Sequence, residues 1–289
     1  MIQKNTGGLV VLKNLTKTVR MLLKDRRTAI GFILILLIGI ISIGAPFFAP
    51  NDPLAINMQM KLSGPSVLYP LGTDNLGRCN LSRLIWGARA SLTYVLCVLS
   101  MMMFLGITIG LISGYIGGKV DHYFMAFTNI FMAFPSVVLA LAIAGILGPS
   151  IKNLIIAMSC VWWAPYARLI RGMVMEVKEK EFVMVAYSMG CTHGQVLYRH
   201  ILKNILAPIL VLATLEVGGI IISLAAYSFI GLGEQPPTPE WGVMLFDAKK
   251  YLQSEPQLFL YPGIAIVLTV LAFNLFGEGL KDVYCKGNR

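Results

Sequence analysis

Long apolar stretches separated by short clusters of charge set the layout of this chain. No Asp, Glu, Lys or Arg occurs from Thr28 to Asn51, from Ala90 to Gly118, from His122 to Ile151 or from Pro256 to Gly277. These windows of 24, 29, 30 and 22 residues are each long enough to cross a hydrocarbon core of roughly 30 Å as a helix. Two further stretches are lightly interrupted: Leu154 to Val174 carries Arg168 and Arg171 near one end, and Ile205 to Gly233 carries one acid, Glu216. The pattern predicts an all-α, polytopic membrane protein with six transmembrane helices, at 28–49, 90–113, 122–147, 153–174, 205–233 and 257–279. A segment 1–27 precedes a transmembrane domain over 28–289 and is expected to stay cytoplasmic. Its polar length and the late, long apolar run that follows argue against a cleaved signal peptide.

The segments between spans are distinct from one another. From Asn51 to Arg89, Pro53, Pro65 and Pro70 with Gly64, Gly72 and Gly77 mark loop and turn. Leu81 to Arg89 has Leu81, Leu84, Ile85 and Ala88 at helical spacing, and reads as a short interfacial helix leading into span 2. Glu176 to Asn204 mixes both signs of charge, and Phe182, Val185, Ala186 and Met189 fall on one helical face. With glycines at 190 and 194, this segment reads as two short amphipathic helices suited to docking on a soluble partner. Three prolines within Pro236 to Pro239 stiffen the segment Glu234 to Glu255, whose Val243 to Leu252 portion is predicted helical. Pro135 and Pro165 lie inside spans and are expected to kink them. Trp162, Trp163 and Tyr166, beside Arg168 and Arg171, read as an aromatic belt at the inner interface.

Composition agrees with the pattern. Charged residues are 13% and hydrophobic residues 56%, with a mean hydropathy of +0.73. The net charge of +10 is a matter of sidedness. With both termini inside, 17 of the 24 Lys and Arg fall on cytoplasmic pieces with seven acids, so the inner face carries the whole surplus. No basic and aromatic stretch lies outside membrane-flanking positions, which argues against nucleic acid as a partner. The lipid bilayer is the partner that composition implies.

Candidate chemistry is sparse. No HExxH, GxSxG, GxGxxG or GxxxxGK[ST] sequence occurs, so no catalytic or cofactor-binding residue is assigned. The five cysteines offer no CxxC spacing and only Cys79 falls outside, so no external disulfide is expected. His193 and His200 are read as inert rather than as metal ligands. Glu216 is the one acid inside the bilayer, where a carboxylate is expensive. It is therefore assigned to the bundle interior or an aqueous path, with Gly218 and Gly219 beside it permitting close helix approach.

Longer motifs add a family resemblance. Glu181-Phe182-Val183-x-x-Ala186-x-x-x-Gly190 followed by Arg199-His200-Ile201-Leu202-x-Asn204 resembles the cytoplasmic coupling loop of bacterial ABC-importer permeases. The family's Glu-Ala-Ala triplet reads Met184-Val185-Ala186 here, and Lys203 stands where a proline is usual. Leu71-Gly72-Thr73-Asp74-x-x-Gly77-Arg78, Ser228-Phe229-Ile230-Gly231-Leu232-Gly233 with Pro237-Thr238-Pro239-Glu240-Trp241-Gly242, and Ala272-Phe273-Asn274-Leu275-x-Gly277-x-Gly279-Leu280 narrow it to the peptide/nickel class. The first motif normally ends in an aspartate where this chain has Cys79.

The resemblance implies a transport subunit rather than an enzyme. It implies a heterodimer with a second permease, two ATP-binding subunits using ATP and Mg, and an extracytoplasmic substrate-binding protein. It assigns coupling to Glu181, Phe182, Ala186, Gly190, His200, Ile201 and Leu202. Ala213 to Gly218 and Trp163 to Arg168 are similar to the nickel branch, so the expected cargo is nickel or a nickel chelate. Dipeptides or oligopeptides are the alternative within the class. A stand-alone secondary transporter or channel is the alternative outside it, and that would show two related halves, which this sequence lacks.

Overall fold

The computed structural model describes residues 25–287, so the expected cytoplasmic segment lies almost wholly outside the described residues. Among these residues the structure is all helical, with no strand beyond a single bridge between Thr73 and Cys79. The main helices are α1 (Arg26–Ile43), α2 (Asn80–Ile116), α3 (Gly118–Met132), α4 (Ser136–Leu147), α5 (Ile151–Lys178), α6 (Glu181–Ser188), α7 (Lys203–Phe229), α8 (Trp241–Ala248) and α9 (Gln257–Gly287). Among the described residues five helical stretches are long and apolar enough to cross a membrane, and α3 with α4 passes the same test only as a pair bent by 82°.

That bend corrects the expectation of one kinked helix over 122–147. Pro135 has no N–H to continue the ladder and its ring excludes the preceding turn. Helix α3 therefore closes at Ala133, whose N–H reaches Asn129 and Ile130, and α4 restarts with Leu139 bonding to Pro135. Pro165, by contrast, sits within an unbroken α5.

Two other boundaries shift. Leu81 to Arg89 is not a separate interfacial helix: it is the start of α2, with Ser82, Arg83, Gly87 and Ala88 buried. Helix α7 has no break before it either, since His193–Phe229 is one helical stretch with a π-helical segment at Val196–Leu202.

Helix α2 packs along α5, α9 along α1 and α7, and α4 on α5. Small residues make the first contact close. A Cβ on Gly110 would lie 2.8 Å from the Ala167 carbonyl, and one on Gly114 2.8 Å from the Arg171 carbonyl. Glycines spaced by four let two backbones approach in this way. The glycines of the 272–280 motif serve the same purpose: a Cβ on Gly277 would strike Leu215, and one on Gly279 would strike Thr28 of α1.

The resulting core includes Met102, Met158, Trp163 and Leu224. Trp162 and Trp163 are buried, and Trp163 stacks on Phe127, packs edge-on to Phe131 and donates to the Cys160 carbonyl at 2.8 Å. The two tryptophans of the aromatic belt read from sequence are therefore part of an internal cluster, on the side of α5 that packs against α2 and α3.

Candidate functional site

Three places along the bundle gather the candidate residues. At the end carrying the 51–79 loop, two motifs far apart in sequence meet. Gly72 and Gly77 have φ of +69° and +73°, and a Cβ on Gly77 would lie 1.8 Å from the Asn57 carbonyl, so both turns require glycine. Thr73 is buried, accepts from Ser63 N at 2.9 Å and donates to the Met60 carbonyl.

These turns aim Asp74 at two buried arginines. Its carboxylate takes Arg78 Nε at 2.6 Å and lies 3.4 Å from Arg83 Nε, while Asp247 of α8 lies 3.3 Å from Arg78 and 3.5 Å from Arg83. Arg83 also donates to the Pro237 carbonyl at 3.2 Å. Two acids and two bases thus balance in a site where a lone charge would be very costly.

The Pro-Thr-Pro-Glu-Trp-Gly block locks α8 onto this network. Glu240, 1% exposed, caps α8 by accepting from Gly242 N at 2.8 Å and Val243 N at 3.0 Å, and it takes the Ser91 hydroxyl of α2 at 3.0 Å. Burial pushes the Glu240 carboxyl above the usual carboxylate range, and those donors pull it back. Asp247 is likewise raised by burial, with Arg83 and Arg78 opposing. Trp241 Nε1 donates to the Leu84 carbonyl at 3.1 Å, and its ring lies where a Cβ on Gly87 would be, 2.8 Å from Cδ1. Gly242 is needed for contact, since its Cβ would lie 2.8 Å from the Ala225 carbonyl. Sequence reading identified both motifs but missed Arg83, Ser91 and Asp247, which complete the network. No local spacing marks them.

At the opposite end, α6 is one arm of the hairpin. Of the apolar face read from sequence, Ala186 turns inward beside Val183, onto a core of Ile170, Ile201 and Ile205. Phe182, Val185 and Met189 point away, at 39%, 55% and 80% exposure. They form an uncovered apolar strip. Glu181 is exposed in the first turn of α6 and His200 packs beside the Phe182 ring, while Ile201 is buried and Leu202 half-buried. Gly190 turns the chain at φ +83°, and Thr192 with Gln195 forms a capping box that starts the second arm. Gly194 lies inside that arm rather than punctuating it. The hairpin is tied to α2 by Tyr115, whose hydroxyl lies 2.7 Å from that of Tyr187 and 2.9 Å from His193 Nδ1. Among the described residues, no group of three or more His, Cys, Asp or Glu converges to hold a metal.

Midway between these ends, Glu216 lines a cavity of about 270 Å³ with Ser136, Val137, Trp162, Pro165, Tyr166, Gly219 and Ser223. Glu216, Gly219 and Ser223 share one face of α7 at i, i+3 and i+7, a signal present in the sequence. The cavity lies at the α3–α4 bend, where Ser136 begins α4. Gly218 faces the other way, against Asn274 and Val270 of α9, so the paired glycines serve packing and cavity separately.

Comparison with known proteins decides the assignment. Residues 106–287 match the family described as binding-protein-dependent transport system inner membrane component. The chain belongs to that family. Residues 15–65 match the N-terminal TM domain of oligopeptide transport permease C, which places this family member in the peptide/nickel class of ABC-importer permeases. Its relatives include a dipeptide transport system permease of Alkalihalophilus pseudofirmus, 41% identical over 91% of this chain and 86% of the relative. A nickel transport system permease of Escherichia coli K12 is 39% identical over 88% and 91%. A glutathione transport system permease of Pectobacterium atrosepticum is 38% identical over 91% and 87%. Among solved structures, the inward-facing MetNI methionine ABC transporter shares the permease fold, with a TM-score of 0.50 at 19% identity over 67% of this chain and 94% of that one.

Proposed function

We propose that this chain and a second, non-identical permease form the translocation pathway of an ATP-driven importer for nickel or a nickel chelate. Both termini face the cytoplasm in this reading, which the charge asymmetry supports. Two ATP-binding subunits dock at the α6 hairpin, and a substrate-binding protein delivers cargo at the face that holds the 51–79 loop.

The observation that carries the reading is the uncovered strip of Phe182, Val185 and Met189 on a hairpin whose other side is anchored in the core. A helix face of this kind fits an apolar groove on a partner. Anchoring by Val183, Ala186 and Ile201 makes the hairpin move with α5 and α7 rather than alone, so a push on the strip reaches the spans as rigid-body motion. The carboxylate of Glu216 in the central cavity supports a cationic cargo. A dipeptide carries a cationic amino terminus and is the second reading, supported by the 41% identity to a dipeptide permease.

The test is uptake of labelled nickel into vesicles carrying the chain with and without its ATP-binding subunits, with dipeptides as competitors. Uptake that needs the ATP-binding subunits and resists dipeptides supports nickel import. Uptake by the permeases alone refutes the importer, and full competition by dipeptides moves the cargo to peptides.

A further inference from the structure

We propose that the apolar groove between α7 and α9, closed on one side by α8, binds one anionic phospholipid, with an acyl chain in the groove and the headgroup at Lys249 and Lys250. This goes beyond the importer reading and concerns the bilayer rather than the cargo.

The groove has a volume of about 310 Å³. Ile222, Ala226 and Phe229 of α7, Phe259 and Ile266 of α9 and Leu245 of α8 form its walls, and no lining side chain is polar. Such a wall cannot pair a charged or hydrogen-bonding occupant, but it accepts a hydrocarbon chain. Ile222 lies about 10 Å along α7 from Phe229, so the groove runs from the end of the span into the apolar layer, the course an acyl chain takes.

Gly263 of α9 is a separate sign that this space is kept open. A Cβ there would meet nothing within 4 Å, whereas Cβ atoms on Gly277 and Gly279 of the same helix would strike Leu215 and Thr28. A glycine inside a helix carries a propensity penalty against alanine, and no helix contact requires this one. Its place is in the groove wall, which it widens.

Charge selects the lipid. Lipid tails are as apolar as leucine, so the chain alone gives little preference over the surrounding bilayer and the headgroup decides. Lys249 Nζ stands 5.5 Å from the centre of the Phe229 ring, which packs edge-on to Phe259, and this fixes an ammonium group at the mouth of the groove. Lys250 follows, and both lysines are exposed. Among the described residues neither is in ion-pair reach of an acid, and Asp247 of α8 is held by Arg78 and Arg83. Each lysine favours an anionic headgroup about 5-fold. A lipid seated here touches α7, α8 and α9 at once and braces α8 against the bundle.

The experiment places the photo-reactive residue benzoyl-phenylalanine at Ile222, 52% exposed in the groove wall. The complex of both permeases and their ATP-binding subunits is reconstituted in vesicles of equal phosphatidylglycerol and phosphatidylcholine, irradiated, and its adducts are identified by mass spectrometry. Phosphatidylglycerol adducts should exceed phosphatidylcholine adducts about 25-fold, two lysines acting independently. Lys249→Gln with Lys250→Gln should return the adducts to the bulk lipid ratio, and Gly263→Leu, whose side chain occupies the groove, should remove most of both. Should the probe at Ile222 itself fill the groove, phosphatidylglycerol carrying a diazirine on its acyl chain, with labelled peptides of α7 and α9 as the readout, serves in its place. A crosslink from Ile222 to the second permease, lipid adducts at the bulk ratio in the unsubstituted groove, or enrichment that survives the double lysine replacement overturns the proposal. Cargo uptake plays no part in this readout, so loss of the lipid site leaves the importer reading untouched.

Discussion

Replacing Glu240 tests whether the motifs around Asp74 and Glu240 hold one rigid block. Its carboxylate receives two backbone N–H groups and the Ser91 hydroxyl while almost fully buried. Glu240→Ala removes the N-cap and thereby strands the two buried donors it satisfies, at about 1–3 kcal/mol each. Releasing a desolvated anion returns part of this, and water reaching the loosened cap returns more. The net loss is about 3 kcal/mol of local stability, or about 100-fold in the population of the open block. Opening α8 withdraws Asp247 from Arg78, and Cys79, 1% exposed beside that arginine, becomes accessible. The assay is therefore the labelling rate of Cys79 by a membrane-impermeant maleimide applied outside, with the other cysteines replaced. Labelling should accelerate about 100-fold in Glu240→Ala and about 10-fold in Glu240→Gln, which keeps one acceptor oxygen. Equal rates in all three proteins would refute the claim that Glu240 holds α8 over the arginines. Labelling only from the cytoplasmic side would refute the proposed orientation.

Other outcomes follow from the same geometry. Gly190→Trp should abolish ATP-coupled uptake while leaving membrane insertion intact: φ +83° strains any side chain, and its Cβ would project into the open space that the proposed docking needs. Unchanged transport would count against docking at the hairpin. Gly110→Leu should lower thermal stability by about 1–3 kcal/mol, the usual penalty of overpacking, because its Cβ would meet the Ala167 carbonyl at 2.8 Å; an unshifted melting temperature would show that α2 and α5 separate freely. Burial raises the carboxyls of Glu240 and Asp247, so the folded chain holds protons that the unfolded chain has released. Stability should therefore fall as pH rises from the ordinary carboxylate range of about 4–5 through the raised values, then level off. Melting curves of wild type and Glu240→Gln between about pH 4 and pH 8 check this, and parallel curves would contradict it.

The α6 hairpin shows how far local pattern reaches. Phe182, Val185, Ala186 and Met189 repeat at helical spacing, and a helix forms there. Periodicity does not say which part of an apolar face meets the chain's own core, and Ala186 went inward while its three companions stayed uncovered. Trp162, Trp163 and Tyr166 show the same limit. An aromatic cluster next to arginines has the composition of an interfacial belt, yet close packing of α2 on α5 turned the tryptophans inward and left Tyr166 at the cavity.

What the sequence determined by itself was what depends on neighbours along the chain: apolar length, a disturbed helix at Pro135, the glycine turns at 72, 77 and 190, and the isolation of Glu216 as an acid among apolar residues. That the helix breaks there with an angle of 82°, and everything made by residues distant in sequence, were decided by tertiary structure. Asp74 and Asp247 balance Arg78 and Arg83 only because α8 folds back onto α2, across a separation of more than 160 residues. Glu216 came to line a pocket with Trp162 and Tyr166 only because α5 and α7 pack at that level. Burial and pairing are properties of the assembled bundle, since each is fixed by which surfaces exclude water together, and no local pattern carries that information.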